Sequence, residues 1–312
     1  MIGLVVRRVA WALVVIWFAI TLTFVLTAAV PADPTHALLG PHATPETTAR
    51  AKAHYCLDEG LVVRYGCWLE GVVQGDLGES YRTRRPVADI LGDRIGPTMQ
   101  LAFAAILIQL LVGVPLGILA AIRRGRWPDR ACNLVTLLAQ SAPSFVVGTI
   151  ALYVLAFKLG WFPLSGYGVG GLDRLHHLIL PATTLAAAGI AFYARVVRSE
   201  LVEALSEDYV RTARAKGLPE STVVLRHALR NALGPLVTLI GLDLGVLLGG
   251  TVIVESIFAW PGLGREVVQA IVDVDLPLIL GTVLVTSIAI AIANLVTDLV
   301  LLWLDPRLRE RR

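Results

Sequence analysis

Charged residues are scarce in this 312-residue chain: Asp, Glu, Lys and Arg make up 16% of it, against 56% hydrophobic residues. The mean hydropathy is +0.71. A water-soluble domain of this length carries about a quarter charged residues. The shortage excludes an ordinary soluble globular protein, because the apolar surface exceeds what one aqueous core can bury. We therefore predict an all-α membrane protein.

Several chemical signatures are also missing. The sequence has no Gly-x-x-x-x-Gly-Lys-Ser/Thr loop to hold a nucleotide and no His-Glu-x-x-His pattern to hold a catalytic zinc. His176 and His177 stand near Asp173 with too few further ligands for a metal site. No basic stripe alternates with aromatic residues, which argues against nucleic acid as a partner. We predict a chain that is not an enzyme and that binds no metal or cofactor itself.

Six apolar stretches are candidates to cross the membrane, which takes about 20 residues for about 30 Å of hydrocarbon. Four carry no charge, and the last two are interrupted only by Asp243 and Asp298. The first is longer than the hydrophobic core of a signal peptide, so we expect an uncleaved anchor. The six predicted spans cover residues 9–30, 95–122, 131–157, 178–194, 231–254 and 276–304.

Lys and Arg collect on one side of these spans. With the N-terminus inside, seventeen of them fall on inside segments, whereas the short outside loops carry only Lys158, Arg174 and Arg265. Both termini are therefore predicted to be cytoplasmic. We divide the chain into residues 1–94, which hold the first span and a small extracytoplasmic subdomain, and residues 95–312, which form a five-helix core.

The predicted outside subdomain contains Cys56 and Cys67. An oxidising compartment would permit a disulfide between them. Two free thiols that never meet are the alternative, since the sequence does not give their separation. The subdomain is expected to begin with a Pro-rich stretch, followed by a short helix and a Gly-rich stretch. The prolines are Pro31, Pro34, Pro41 and Pro45.

The inside loop after the fourth span has clear helix boundaries. Ser206 can cap a helix start, and Glu207 and Asp208 put negative charge in its first turn. Gly217 suits the left-handed residue that ends a helix, and Pro219 suits the first turn of the next.

This loop helix is short, with about ten residues between its caps, and such a length is marginal alone in water. Tyr209, Val210 and Ala213 gather on one side, and the small Ala213 and Ala215 would let another backbone approach. A helix docked against a partner is one interpretation. A solvated connector that returns the chain to the bilayer is the other.

Five segments together resemble a known family. Tyr209-Val-Arg-Thr-Ala-Arg-Ala-Lys-Gly217, followed by Arg226-His-Ala-Leu-Arg-Asn-Ala232, resembles the EAA loop of importer-type ABC permeases, and more narrowly the dipeptide/oligopeptide/nickel permease family. Arg211 stands where the motif name has Glu, a departure that this subfamily shares. Gly75–Ser80, Glu255–Gly264 and Asp275–Pro277 resemble the same family.

The resemblance implies a type I ABC importer permease fold in the bacterial cytoplasmic (inner) membrane. Its loop, at about residues 199–231, would dock as a coupling helix in a groove of an ATPase that holds the ATP and Mg. The implied partners are two ATP-binding subunits, a second homologous permease and an extracytoplasmic substrate-binding protein. The implied coupling residues are Asp208, Tyr209, Arg211, Thr212, Ala213, Arg214, Ala215, Lys216, Gly217, His227 and Asn231.

The implied substrates are peptides of the dipeptide or oligopeptide class, with nickel, haem and glutathione as alternatives for the same machinery. Import would proceed by alternating access driven by the separate ATPases. A standalone secondary transporter is the competing class. Such transporters commonly carry internal repeats and broken helices in both halves, and the sequence indicates neither.

The candidate residues for the translocation path or its gate lie within and after the fifth predicted span. An acid within hydrocarbon usually faces a cavity or a partner, so Asp243 either lines the path or pairs with an adjacent helix. Pro261, Gly262 and Gly264 predict a turn at the outer mouth, which is either a gate or an ordinary tight loop. The path or gate candidates are Asp243, Glu255, Phe258, Pro261, Gly262 and Asp298.

Overall fold

The computed structural model describes residues 2–29, 56 and 58–304. Across these residues the secondary structure is helical, apart from one isolated bridge between Glu79 and Pro86. The all-α prediction is thereby confirmed for the described chain. The Pro-rich stretch, with Pro31, Pro34, Pro41 and Pro45, lies outside the described residues, as does the basic C-terminal tail.

The helices are numbered here in chain order. Two of them contain π-helical turns: Leu152–Lys158 continues α5, and Val223–Ala228 joins Glu220–Thr222 to Leu229–Ala232 within α8. The bounds are α1 Ile2–Ala29, α2 Leu61–Val73, α3 Val87–Ile122, α4 Trp127–Ser141, α5 Ser144–Lys158, α6 Gly171–Ala204, α7 Asp208–Ala215, α8 Glu220–Ala232, α9 Gly234–Gly250, α10 Val252–Ile257, α11 Leu263–Val272 and α12 Leu276–Leu304.

Four helices among the described residues are long and apolar enough to cross a membrane. They are Val6–Ala29 in α1, Val87–Ile122, Gly171–Ala204, and Leu276–Val300 in α12. Two bent helix pairs raise the number to six if each pair is one span. The α4–α5 pair is bent by 100° and the α8–α9 pair by 43°.

The bend between α4 and α5 corrects the expectation of one continuous helix over residues 131–157. Ala142 has an extended backbone with ψ of 123°, and Pro143 follows it. Proline disfavours helical geometry in the residue before it and cannot donate a backbone hydrogen bond. The helix therefore ends at Ser141 and restarts at Ser144.

The chain forms two compact units. The first comprises Met1–Thr98 with Pro261–Ile292, and the second comprises Met99–Trp260 with Ala293–Arg312. Residues 261–292 thus pack with the N-terminal part of the chain, although the sequence-based division assigned them to the five-helix core.

In the first unit, aromatic contacts and a hydrogen bond hold α1 and α2 together, and a disulfide joins α2 to the turn that precedes it. The ring of Phe24 in α1 meets Tyr65 in α2 edge-on at 5.1 Å, and the Tyr65 hydroxyl shares a 2.7 Å hydrogen bond with Thr21. Cys56 and Cys67 are joined by a disulfide, with their Cα atoms 6.7 Å apart.

The second unit packs α3 against α6 through glycines. A methyl group added at Gly117 would lie 2.6 Å from the carbonyl oxygen of Ala194 and 2.7 Å from Cβ of Val197. One added at Gly113 would lie 2.9 Å from the carbonyl oxygen of Ile190. Gly113 and Gly117 form a small-xxx-small pair, which lets membrane helices approach closely.

Candidate functional site

The short helix α7 is the structural counterpart of the predicted coupling helix. Its N-cap is Glu207, in extended conformation. Ser206 does not cap it, contrary to the prediction, because its hydroxyl donates backward to the carbonyl oxygen of Glu203 at 2.7 Å. Within the helix, Arg211 Nη1 donates to Asp208 Oδ1 at 3.1 Å.

One face of α7 is buried within this chain. Val210 and Ala213 are 0% and 6% exposed, and they pack in a cluster with residues of α6 and α8. The other members of that cluster are Ala121, Leu201, Ala204, Val223, Val224, Ala228 and Ala232. The apolar side of α7 therefore anchors it to the rest of this chain, which corrects the expectation that Ala213 would face a partner.

The other residues of α7 are exposed. Tyr209 is 38% exposed, and Thr212, Ala215 and Lys216 are also exposed. This set of four residues is called the outer face of α7 below. Because Val210 and Ala213 are buried against this chain, the outer face remains available to another polypeptide.

The turn after α7 is fixed by a glycine and an ion pair. Gly217 has φ of +75°, the left-handed conformation predicted for it. Arg214 reaches across the turn to Glu220, with Nη2 donating to Oε1 at 2.6 Å and Nε to Oε2 at 3.1 Å. The hydrogen bond and charge of Glu220 raise the pKa of the Arg214 guanidinium. These contacts tie α7 to α8.

His227 and Asn231, the two coupling residues predicted in α8, take different positions. His227 lies in the π-helical turn and is half-buried, whereas Asn231 is exposed. Neither lies in α7 itself. Their role in coupling stays a prediction.

A buried ion pair that sequence reasoning missed supports this region. Arg198 in α6 donates to both carboxylate oxygens of Asp129 in α4. Its Nε donates to Oδ1, and its Nη2 donates to Oδ2 at 2.9 Å. Asp129 is 4% exposed and also accepts hydrogen bonds from the Gly125 backbone and the Asn133 side chain. The pair fixes the start of α4 to the part of α6 that leads into α7.

The intramembrane acid Asp243 has a polar neighbour on another helix. The Tyr193 hydroxyl of α6 donates to Asp243 Oδ2 at 3.5 Å, a long hydrogen bond, and Asp243 is half-buried in α9. Asp298 in α12 is half-buried as well. The pairing agrees with the packing alternative, and a role on the path stays a prediction.

The other path candidates surround the α10–α11 connection. Glu255 and Phe258 are 0% and 2% exposed. The backbone carbonyl oxygen of Phe258 accepts a hydrogen bond from the backbone N–H of Gly166 at 3.0 Å. Pro261 is half-buried, and Gly262 is the N-cap of α11. Glu255 and Phe258 are thus enclosed by this chain in the present conformation.

Asp275 connects two of the segments that resemble the family, Gly75–Ser80 and Asp275–Pro277. Its Oδ2 accepts a 2.5 Å hydrogen bond from the Ser80 hydroxyl, and its Oδ1 accepts one from the Leu278 backbone at 3.4 Å. Asp275 is 1% exposed. The Gly75–Ser80 segment is therefore fastened to the start of α12 across 195 positions of sequence.

Comparison with known proteins decides the family. Residues 113–310 match the model of the binding-protein-dependent transport system inner membrane component, and residues 1–102 match the N-terminal model of such membrane components. The chain belongs to the ABC importer permeases. The permease is 38% identical over 311 residues to the glutathione transport system permease protein GsiC of Escherichia coli (strain K12), with 100% of both chains covered.

A second relative comes from Brucella abortus (strain 2308). It carries the provisional name of a peptide transport system permease protein and is 40% identical to the permease over 313 residues, with 99% of each chain covered. These relatives confirm the dipeptide/oligopeptide-type family that the sequence motifs predicted.

Solved structures show the same fold. The methionine ABC transporter MetNI in an inward-facing conformation matches with a TM-score of 0.55 at 19% identity, covering 68% of this chain and 94% of that one. A chain of an amino acid ABC transporter matches with a TM-score of 0.52 at 16% identity, covering 70% and 94%. The fold is that of type I ABC importer permeases.

Family membership establishes the general role of the permease. It is a non-catalytic, multi-pass subunit of an ABC importer in the bacterial inner membrane. An importer permease of this family works with ATPase and substrate-binding partners.

Proposed function

We propose that this permease forms one half of the translocation pore of a peptide importer and is moved by ATPase subunits through α7. The observation that carries the proposal is the two-sided character of α7. Val210 and Ala213 anchor it to the permease, while Tyr209 and Ala215 remain exposed for a groove in another subunit. A short helix held in this way moves as a rigid body with the helices that it contacts.

The proposed assembly has two ATP-binding subunits, which hold the ATP and Mg, a second homologous permease and a substrate-binding protein. Both termini and α7 face the cytoplasm, and residues 31–94 form a subdomain outside. This arrangement agrees with the distribution of Lys and Arg along the sequence. It treats each of the two bent helix pairs as one span, which gives six spans.

Alternating access supplies the proposed mechanism. When the ATPases close around ATP, α7 moves with them and carries α6 and α8, because all three share one buried cluster. The Asp129–Arg198 ion pair passes this movement on to α4. Asp243 and the α10–α11 connection are the proposed path and gate elements.

Peptides are the proposed cargo, with glutathione as the nearest alternative, since the names of the relatives refer to glutathione and to peptides. The test is uptake by the complete transporter in proteoliposomes, with di- and oligopeptides, glutathione, nickel and haem offered in turn. We expect ATP-dependent accumulation of peptides. Accumulation of nickel or haem without peptides would contradict the proposal, and a transporter without ATPase partners serves as the control.

A further inference from the structure

A cavity of about 340 Å³ lies within the first unit, between the turn after Ser80, α3, α11 and the start of α12. Its walls carry charges of both signs. The charged residues that line it are Arg82, Arg94, Arg265, Glu266, Asp273 and Asp275. Because three guanidinium groups and three carboxylates line the cavity, it favours neither a simple cation nor a simple anion as its ligand.

Four of these charged residues form two ion pairs in the cavity wall. Arg94 Nε donates to Glu266 Oε2 at 2.8 Å, and these side chains are 34% and 20% exposed. Arg82 Nη1 donates to Asp273, which also accepts a 3.1 Å hydrogen bond from Gln269. Burial pushes the pKa of Asp273 up, but the hydrogen bonds from Arg82 and Gln269 outweigh it and hold the pKa below its usual value.

Each member of these pairs has the capacity to bind a second group. A guanidinium has five N–H donors and a carboxylate can accept about four hydrogen bonds. Arg94 can therefore keep Glu266 through Nε and donate through its other nitrogens to a ligand carboxylate. Glu266 can likewise accept from a ligand ammonium group while it keeps Arg94.

We propose that this cavity binds the zwitterionic ends of an incoming peptide, with a ligand carboxylate at Arg94 and an ammonium group at Glu266 or Asp273. The inference rests on the proposed function, because it takes peptides as the cargo and places this unit at the outer side. The volume is at the lower end of the range for small-molecule sites, which is about 300–1,000 Å³. Three arginines in the wall disfavour a free nickel ion, and a dianionic haem brings no ammonium group for the carboxylates.

The test measures binding to the complete permease–ATPase complex in lipid nanodiscs, without the binding protein, so that only the permease selects. The probes are Ala-Ala-Ala and its C-terminal amide, which lacks the carboxylate, and their dissociation constants are read by saturation-transfer NMR. The amide cannot form the charge-assisted hydrogen bond that the carboxylate accepts from Arg94, so we expect it to bind at least about ten-fold more weakly. Arg94→Gln should remove this preference.

A charge exchange separates ligand binding from a purely structural ion pair. The double variant Arg94→Glu with Glu266→Arg keeps an ion pair between α3 and α11, so its melting temperature should stay close to that of the wild type. We expect it nevertheless to lose the ten-fold preference for the free carboxylate. A double variant that regains the preference, or a wild type that binds both probes equally, would overturn the inference.

The outcome is also distinguishable from failure of the proposed function. If the wild-type transporter accumulates peptides while Arg94→Gln retains the full preference for the carboxylate, only the cavity assignment is wrong. If the wild-type transporter accumulates no peptide at all, the proposed function is wrong as well.

Discussion

Replacing Gly117 with leucine is expected to prevent assembly of a stable permease. Even one added carbon at Gly117 would lie 2.6 Å from the backbone oxygen of Ala194 and 2.7 Å from Cβ of Val197, and neither atom can rotate away. Overpacking of this kind typically costs about 1–3 kcal/mol and occasionally more. Since Gly117 and the α6 residues that it meets all belong to the second unit, as does the cluster under α7, separating them would also disturb that cluster.

The measurement is the yield and melting temperature of the purified protein, compared with a matched variant on the same helix. Gly92 also lies in α3, but a carbon added there meets no atom within 4 Å. Gly92→Leu should therefore be neutral, or stabilised by up to about 1 kcal/mol through helix propensity. Equal melting temperatures for the two variants would show that α3 and α6 do not pack through Gly117.

Replacing Asp129 with alanine is expected to lower the free energy of unfolding by about 3 kcal/mol and to reduce transport strongly. Removing one partner of a buried ion pair leaves the other charge uncompensated, at a cost of about 3–5 kcal/mol. Arg198 keeps 25% of its side chain exposed, which places the expected cost at the lower end. The variant also loses the acceptor for the Gly125 and Asn133 hydrogen bonds.

An exposed ion pair in the same protein provides the control. Arg85 and Asp93 are also joined by a hydrogen bond, of 3.0 Å, but their side chains are 54% and 60% exposed. Surface pairs contribute about 0–1 kcal/mol, so Asp93→Ala should change stability little. Unfolding in mixed detergent–SDS micelles would compare the two variants, and an equally small effect of Asp129→Ala would contradict the structural role given to the α4–α6 pair.

Local signals in the sequence predicted much of the coupling region. Gly217 was expected in the left-handed conformation and adopts it, because the end of a helix is encoded within a few residues. The Ser206 cap was wrong because a serine hydroxyl can bond backward as well as forward, here to Glu203. Pro143 indicates a break in the third predicted span, but the span was predicted from its long charge-free run, and that criterion does not detect a proline.

Contacts between distant residues could not be read from local patterns. Arg198 and Asp129 are 69 positions apart and Ser80 and Asp275 are 195 apart, so only the fold brings them together. The burial of Ala213 also depends on α6 and α8, which its own helix does not reveal. The spacing of Gly113 and Gly117 was a usable signal in an apolar span, and it would have predicted the close approach of α3 to a neighbouring helix.

The central claim is that the outer face of α7 contacts an ATPase subunit, and crosslinking tests it most directly. Single cysteines at Ala215, which is exposed, and at Ala213, which is 6% exposed, would carry a benzophenone maleimide in a variant with Cys132→Ser. Illumination of inner-membrane vesicles with all partners present should give a permease–ATPase adduct from position 215 and little from position 213. Failure of position 215 to reach the ATPase, or labelling of that cysteine from the external side, would contradict the account.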